Sequence, residues 1–270
     1  MTATGGILGA IVERTLADVE ARLRRVSHAG LEEAARTRAR TRLPLARVLR
    51  RESEDAGARF LCEVKKASPS GGVLAADIDP AALAAAYLEH GAAAVSVVTE
   101  PHFFGGEESF LDAVRSSAPS TPILRKDFHV HELQVFETAA GPADALLLLA
   151  SVLSPTQLRD YIDIADAFAL DHLVEVTDTR EAEDALRAGA RTVGVNNRDL
   201  ATFRVDLGRT EAVLPALRGS GAVAVAESGI STRDAVVRLT EAGVDAFLVG
   251  EALITAVDPG AKLRELRGLA

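Results

Sequence analysis

Cysteine is almost absent from this sequence: one residue, Cys62, in a chain of 270. That excludes an intrachain disulfide and any zinc site built on paired cysteines, and it fits a reducing compartment, so a cytoplasmic protein is expected. Tryptophan is missing altogether, which leaves little intrinsic fluorescence. Positive charge is in deficit, with a net charge of -9 and a pI near 5.3. The chain therefore gives no electrostatic support to a nucleic-acid or membrane-surface partner. No run approaches the roughly 18 apolar residues of a membrane-spanning helix. The start, "MTATGGILGAIVER", has no basic leader before its short apolar run and meets Glu13 and Arg14 too early for a signal peptide. What the chain does have is 48% hydrophobic and 26% charged residues, enough for one large core or two small ones. Small-molecule chemistry is the resulting expectation.

The N-terminal part reads as helix. Ile7, Leu8, Ile11, Leu16, Val19, Leu23 and Val26 recur at spacings near three and four, the mark of one apolar helical face. Helical character continues from Leu31 to Arg51 through the basic run "RTRARTRLPLARVLRR", broken at Pro44 and read here as a solvated helix face. Residues 1–51 thus form a helical extension expected to pack on residues 52–270 within one structural domain.

Beyond residue 52 the rhythm changes to short β-rich runs alternating with longer Ala/Leu-rich helical segments, the pattern of βα units on a parallel sheet. The β-rich runs are "FLCEVKK", "AAVSVVT", "TPILRKD", "ADALLLLA", "DHLVEVT", "RTVGVNN", "AVAVAES" and "VDAFLVG". Eight units close a barrel, so the predicted fold is α/β, a (β/α)8 TIM barrel with a helical N-terminal extension. A weak internal repeat supports this, because "EHGAAAVSV", "AAGPADALLL", "RAGARTVGV" and "EAGVDAFLV" share their punctuation. Gly91, Gly141, Gly189 and Gly243 are expected in the left-handed conformation just past a helix end.

Strand parity then sorts the polar residues. Glu63 and Lys65 share one face and Cys62 and Val64 the other, which makes Cys62 a core residue. Lys126 aligns with Leu124 and Phe128, Glu175 with Leu173, and Asn196 with Arg198. All of these fall at strand C-terminal ends, where barrel enzymes assemble their sites. The last two strands end in "ESGIS" and "VGEAL", whose small residues and following helix starts suit a phosphate group. Gly229 and Gly250 are expected to let an anion approach the backbone.

Taken in order, "CEVKKASPSGG", "LRKDF", "LVEVTD", "VGVNNRDL", "AESGI" and "FLVGEALI" resemble the indole-3-glycerol-phosphate synthase family over nearly the whole chain. The resemblance implies a barrel with a helical extension that needs no metal or organic cofactor. It implies a decarboxylating, dehydrating ring closure of 1-(2-carboxyphenylamino)-1-deoxyribulose 5-phosphate, a step of tryptophan biosynthesis by a carbon-carbon lyase. By the same resemblance Lys126 is the general acid, and Lys65 holds the carboxylate or assists as an acid. Glu175 is a base or electrostatic stabiliser, while Glu63 and Asn196 orient the amine and the lysines. Arg198 offers a fork to a carboxylate. Ser228, Gly229, Gly250 and Glu251 form a phosphate cup, Ser68 closes over the substrate, and Phe128, Leu147 and Leu248 wall the aromatic ring. The chain departs from the family at Glu251, where many relatives carry a small hydroxyl residue, so phosphate is expected on backbone N–H groups with that carboxylate turned away. It also departs at Gly71 and Gly72, where the first loop often carries a lysine.

Other signals are weaker. His129 and His131 in "HVHE" alternate as metal ligands can, yet they read as a helix start, so no metal is expected. "GSGAVA" precedes a strand instead of following one, which removes the dinucleotide-binding geometry. Another phosphate-binding barrel, such as a sugar-phosphate isomerase, would not need the carboxylate site of Lys65 and Arg198, and a binding barrel would not need the ionisable set at all. A small phosphorylated molecule is the expected partner, with a monomer expected and a homodimer the alternative.

Overall fold

The computed structural model describes residues 5–53 and 57–269. Eight parallel strands close into a barrel in sequence order. They are β1 (Arg59–Val64), β2 (Ala94–Val98), β3 (Ile123–Lys126), β4 (Ala145–Leu149), β5 (Asp171–Val176), β6 (Thr192–Asn196), β7 (Val223–Glu227) and β8 (Ala246–Val249). Closure is made by β1, which pairs Leu61 with Ala94 of β2 on one side and with Leu248 of β8 on the other. Seven of the strands lie inside the β-rich runs of the sequence, and β1 begins one residue before its run.

Three helices precede the barrel: α1 (Gly6–Leu23), α2 (His28–Ala39) and α3 (Leu45–Leu49). Those that follow are α4 (Pro80–Glu89), α5 (Ser109–Ser117), α6 (Glu132–Ala140), α7 (Pro155–Ala167), α8 (Thr179–Ala188), α9 (Gly208–Leu217), α10 (Arg233–Ala242), α11 (Glu251–Ile254) and α12 (Pro259–Arg267). Their starts are written locally. Asp79, Ser154, Asp178, Thr232 and Asp258 each accept a hydrogen bond from an orphan N–H of the first turn. Pro80, Pro155 and Pro259 follow three of these caps, where the missing donor costs nothing.

Alternation divides the strand side chains between two cores. Phe60, Cys62, Val64, Val95, Val97 and Val174 face the helix layer. Leu61, Leu124, Leu147, Leu173, Val225 and Leu248 fill the barrel interior. The N-terminal helices contribute to the second core as a strap. Leu8 and Val12 of α1 reach it near Phe128, whereas Leu45 and Leu49 of α3, both fully buried, plug the opposite end. Burial of each leucine stabilises the fold by about 2–3 kcal/mol.

Two expectations fail here. Gly91, Gly189 and Gly243 have positive φ, but Gly141 adopts φ -83° and ψ -177°. Pro142 follows it, and the ring of a proline forces the preceding residue into extended backbone. The basic run is a solvated face only in part, since Arg36, Arg40, Arg47 and Arg50 are exposed but Arg38 and Arg42 are not. Arg38 bonds Asp144 Oδ1 at 3.0 Å, and Arg42 donates to the carbonyl oxygens of Phe168, Ala143 and Ala139. Burial first, and then the neighbouring Arg38, lowers the Arg42 guanidinium to about 10. These arginines staple α2 and the turn after it to the floor of the barrel.

Candidate active site

A cavity of about 650 Å³ opens at the C-terminal ends of the strands, a size suited to a small-molecule ligand. All the residues singled out from the sequence line it: Glu63, Lys65, Ser68, Lys126, Phe128, Leu147, Glu175, Asn196, Arg198, Ser228, Gly229, Leu248, Gly250 and Glu251. The charge at the end of β1 has a geometric reason, since Glu63 points inward and its Oε1 lies 2.6 Å from Lys65 Nζ.

The centre of the site is Lys126, whose Nζ lies 3.0 Å from Glu227 Oε2 and 3.2 Å from Glu175 Oε2. Burial works against its charge, but Glu227, Glu175 and Glu63 outweigh it and hold the ammonium above the usual lysine range. Glu63 would be driven toward its neutral acid by burial, yet Lys65 and then Lys126 keep it below the usual carboxylate range. Asn196 Nδ2 donates to Glu175 Oε1 at 2.8 Å and fixes that carboxylate. The residues on either side of Lys126 are anchored. Thr99 Oγ1 donates to Asp127 Oδ2 at 2.6 Å, and Arg125 bridges Asp127 to Glu108. Lys126 is thus gripped from both sides of its own strand.

Glu227 is the group that the sequence reading missed. It sits at the end of β7 on the inward parity of Val223 and Val225, the same relation that places Lys126 and Glu175, but the serine and glycine beside it point its segment toward a phosphate group. Burial raises its carboxyl to about 7, with Lys126 opposing and Glu175 reinforcing the rise. Its Oε1 has no hydrogen-bond partner among the described residues. Room for it is made by Gly194 of β6, where a Cβ would stand 1.9 Å from Glu227 Oε1.

The other rim is built from turns. Ser228 has φ 63°, an uncommon backbone for a residue with a side chain, and Gly229 follows at φ 76°. Asn197 Nδ2 holds this turn through the carbonyl oxygens of Glu227 and Ser228. The two glycines have a reason beyond ligand access: a Cβ at Gly229 would meet Val205 at 2.2 Å, and one at Gly250 would meet Glu63 Oε1 at 2.4 Å. Glu251 is not turned away from the cavity. Its Oε2 accepts from Arg198 Nη2 at 2.9 Å, so the fork expected to be open to a ligand already holds a carboxylate.

The wall is apolar. Phe128 and Phe104 lie with ring centroids 6.0 Å apart, and Ile7, Leu8 and Ile11 of α1 reach the cavity, which strand periodicity could not reveal. The first loop sits against the second, with Ala67 N donating to Phe104 O at 3.0 Å, and Ser68 Oγ accepts from Gly71 N at 3.0 Å. His131 caps α6 through its ring nitrogen, and His129 Nε2 pairs with Thr138 Oγ1 at 3.0 Å. Cys62 is buried in the helix-facing core, where burial pushes its thiol far above the ordinary range. Among the described residues no helix is long and apolar enough to cross a membrane.

Residues 8–266 match the family model of indole-3-glycerol phosphate synthase. The indole-3-glycerol phosphate synthase of Chlorobium phaeovibrioides is 44% identical over 248 residues, covering 91% of this chain and 93% of the relative. That of Dehalococcoides mccartyi is 42% identical over 262 residues, covering 96% and 99%. Among solved structures, a thiamine phosphate pyrophosphorylase from Pyrococcus furiosus overlays with a TM-score of 0.58 at 19% identity, over 78% of this chain and 94% of that one, a likeness of fold alone. Identity at this level along nearly the full length, on a barrel whose mouth gathers these lysines and carboxylates, places the chain in the indole-3-glycerol phosphate synthase family.

Proposed function

We infer that this chain closes the indole ring of 1-(2-carboxyphenylamino)-1-deoxyribulose 5-phosphate with loss of carbon dioxide and water, as a carbon-carbon lyase of the cytoplasm. The observation that carries the reading is Lys126, a partly buried ammonium between Glu175 and Glu227 at the bottom of an apolar-walled mouth. The aromatic carbon bearing the carboxylate attacks the ketone carbon, and Lys126 protonates the ketone oxygen as charge develops there. The bond to the carboxylate then breaks, and its electron pair restores the aromatic ring. Loss of the new hydroxyl as water, with a proton from the neighbouring methylene carbon, completes the indole.

Lys65 first holds the aryl carboxylate and then protonates the departing hydroxyl, and Glu175 takes the methylene proton. Glu63 positions Lys65, and Asn196 aims Glu175. Glu227 carries a proton near neutrality and stands 3.0 Å from Lys126, close enough to reload it. Phe128, Leu147 and Leu248 wall the ring, with Ser68 above it. The phosphate lies at the turn of Ser228 and Gly229 and at the N–H groups of Gly250 and Glu251; Arg198, which the resemblance gives to a carboxylate, pairs with Glu251 at 2.9 Å on this same rim and is read here as reaching the phosphate. In this reading residues 1–51 belong to one domain with the barrel, because α1 supplies part of the wall.

The test is to mix the protein with the substrate and follow indole fluorescence, which stands out in a chain with no tryptophan. A rise with saturating kinetics is expected. Saturable binding with no rise would overturn the reading in favour of a binding barrel.

A further inference from the structure

Glu251 and Arg198 form an ion pair that none of the chemical steps requires. The cavity is lined by three cations, Lys65, Lys126 and Arg198, against six carboxylates, Glu63, Glu100, Asp127, Glu175, Glu227 and Glu251. That balance is unfavourable for a substrate bearing a phosphate and a carboxylate. Five of the acids are buried and engaged. Glu63 holds Lys65, Glu175 and Glu227 share Lys126, Asp127 is fixed by Thr99 and Arg125, and Glu100 accepts from the N–H groups of His102, Phe103 and Phe104. Glu251 differs, since its side chain keeps 45% of its exposure and its one recorded side-chain bond is to Arg198.

We propose that Glu251 is a built-in competitor: its carboxylate occupies the anion seat of Arg198 in the empty site and yields it to the phosphate of the substrate. The pair joins the loop after β6 to the first residue of α11, and so spans the turn of Ser228 and Gly229 where the anion enters. A half-exposed pair of this kind is weak and screened, whereas a phosphate offers guanidinium a doubly charged, bidentate partner. Glu251 can rotate into water once displaced, which none of the other five acids can do. The carboxylate therefore raises the concentration of anion needed to fill the site and leaves Arg198 ordered between turnovers. The proposal rests on the functional reading above only for the identity of the anion.

The test compares Glu251→Gln with the parent chain in two readouts. Inorganic phosphate, titrated by calorimetry, is expected to bind about fivefold more tightly to the variant, the scale of losing one screened like charge and one competing pair. In an Arg198→Gln background the same substitution is expected to change phosphate affinity less, because no guanidinium remains to contest. With the ribulose phosphate substrate, the effect is expected in KM, which falls, and not in kcat. Equal or weaker phosphate binding by Glu251→Gln would overturn the proposal and make the carboxylate a support for Arg198. Failure of the parent chain to turn over substrate, with the phosphate difference intact, would refute the activity while leaving the competition standing.

Discussion

The two ends of the barrel bury acids among cations and use them in opposite ways. At the N-terminal end Asp144 is fully buried and accepts from Arg38, from Arg115 and from the N–H groups of Leu43 and Ile123. Every one of those donors belongs to the fold. At the C-terminal end one ammonium, Lys126, serves two glutamates, and Glu227 keeps an oxygen with no partner among the described residues. A saturated network fixes a floor, whereas an unsaturated one at a mouth is poised for a ligand.

The contrast breaks most visibly at Lys126. Lys126→Ala should lower kcat by about 10²–10⁴-fold while the melting temperature stays near that of the parent. A variant with near-native rates would remove Lys126 from the chemistry. The converse change is Asp144→Ala, which strands Arg38 and Arg115 and should cost about 3–5 kcal/mol in urea unfolding, with kcat of the folded fraction preserved. An unchanged unfolding midpoint would show that the floor does not depend on its acid.

Two pH dependences sharpen the comparison. His129 and His172 are buried, and burial first, followed by Arg125 and Arg191 respectively, lowers both imidazoles to about 4. The unfolded chain takes up these protons near pH 6.5 and the folded chain does not. Stability should therefore fall between pH 6.5 and 4, by up to about 3 kcal/mol per group. Thermal melts of His172→Gln should show a shallower fall, and equal slopes would rule out that histidine as a source. The smallest effect concerns Glu227, whose carboxyl titrates at about 7. If its proton reloads Lys126, kcat/KM falls as pH rises through an apparent value near 7 that belongs to the whole cluster. Glu227→Gln should lose that limb, with a rate decrease of about tenfold below it, and survival of the limb would assign it elsewhere.

Local rules made the barrel legible. Strand parity, helix caps and the glycines past helix ends act over a few residues, so β1 to β8 and the inward positions of Lys126, Glu175 and Asn196 could be read from spacing. Gly141 failed because its neighbour Pro142 imposes a stronger constraint than the helix end does. What could not be read depends on partners far along the chain. Arg38 and Arg42 look like a solvated run until the floor that receives them is known, and Ile7, Leu8 and Ile11 give no sign of reaching the mouth. Glu251 is expected to turn away from a phosphate, and nothing in its own segment announces its partner, Arg198, two strands away. Glu227 obeys the same parity as Lys126, but Ser228 and Gly229 beside it carry the stronger local signal, that of a phosphate turn.

The strap formed by α1, α2 and α3 carries one more consequence. Its first helix walls the mouth and its third closes the floor, so a single continuous segment touches both ends of the molecule. Opening of that segment removes part of the ligand's seat and uncovers Leu45 and Leu49 in the same event. Occupancy of the mouth and protection of the floor are then thermodynamically linked: a ligand bound at one end slows hydrogen exchange at the other, without any change in the barrel that separates them.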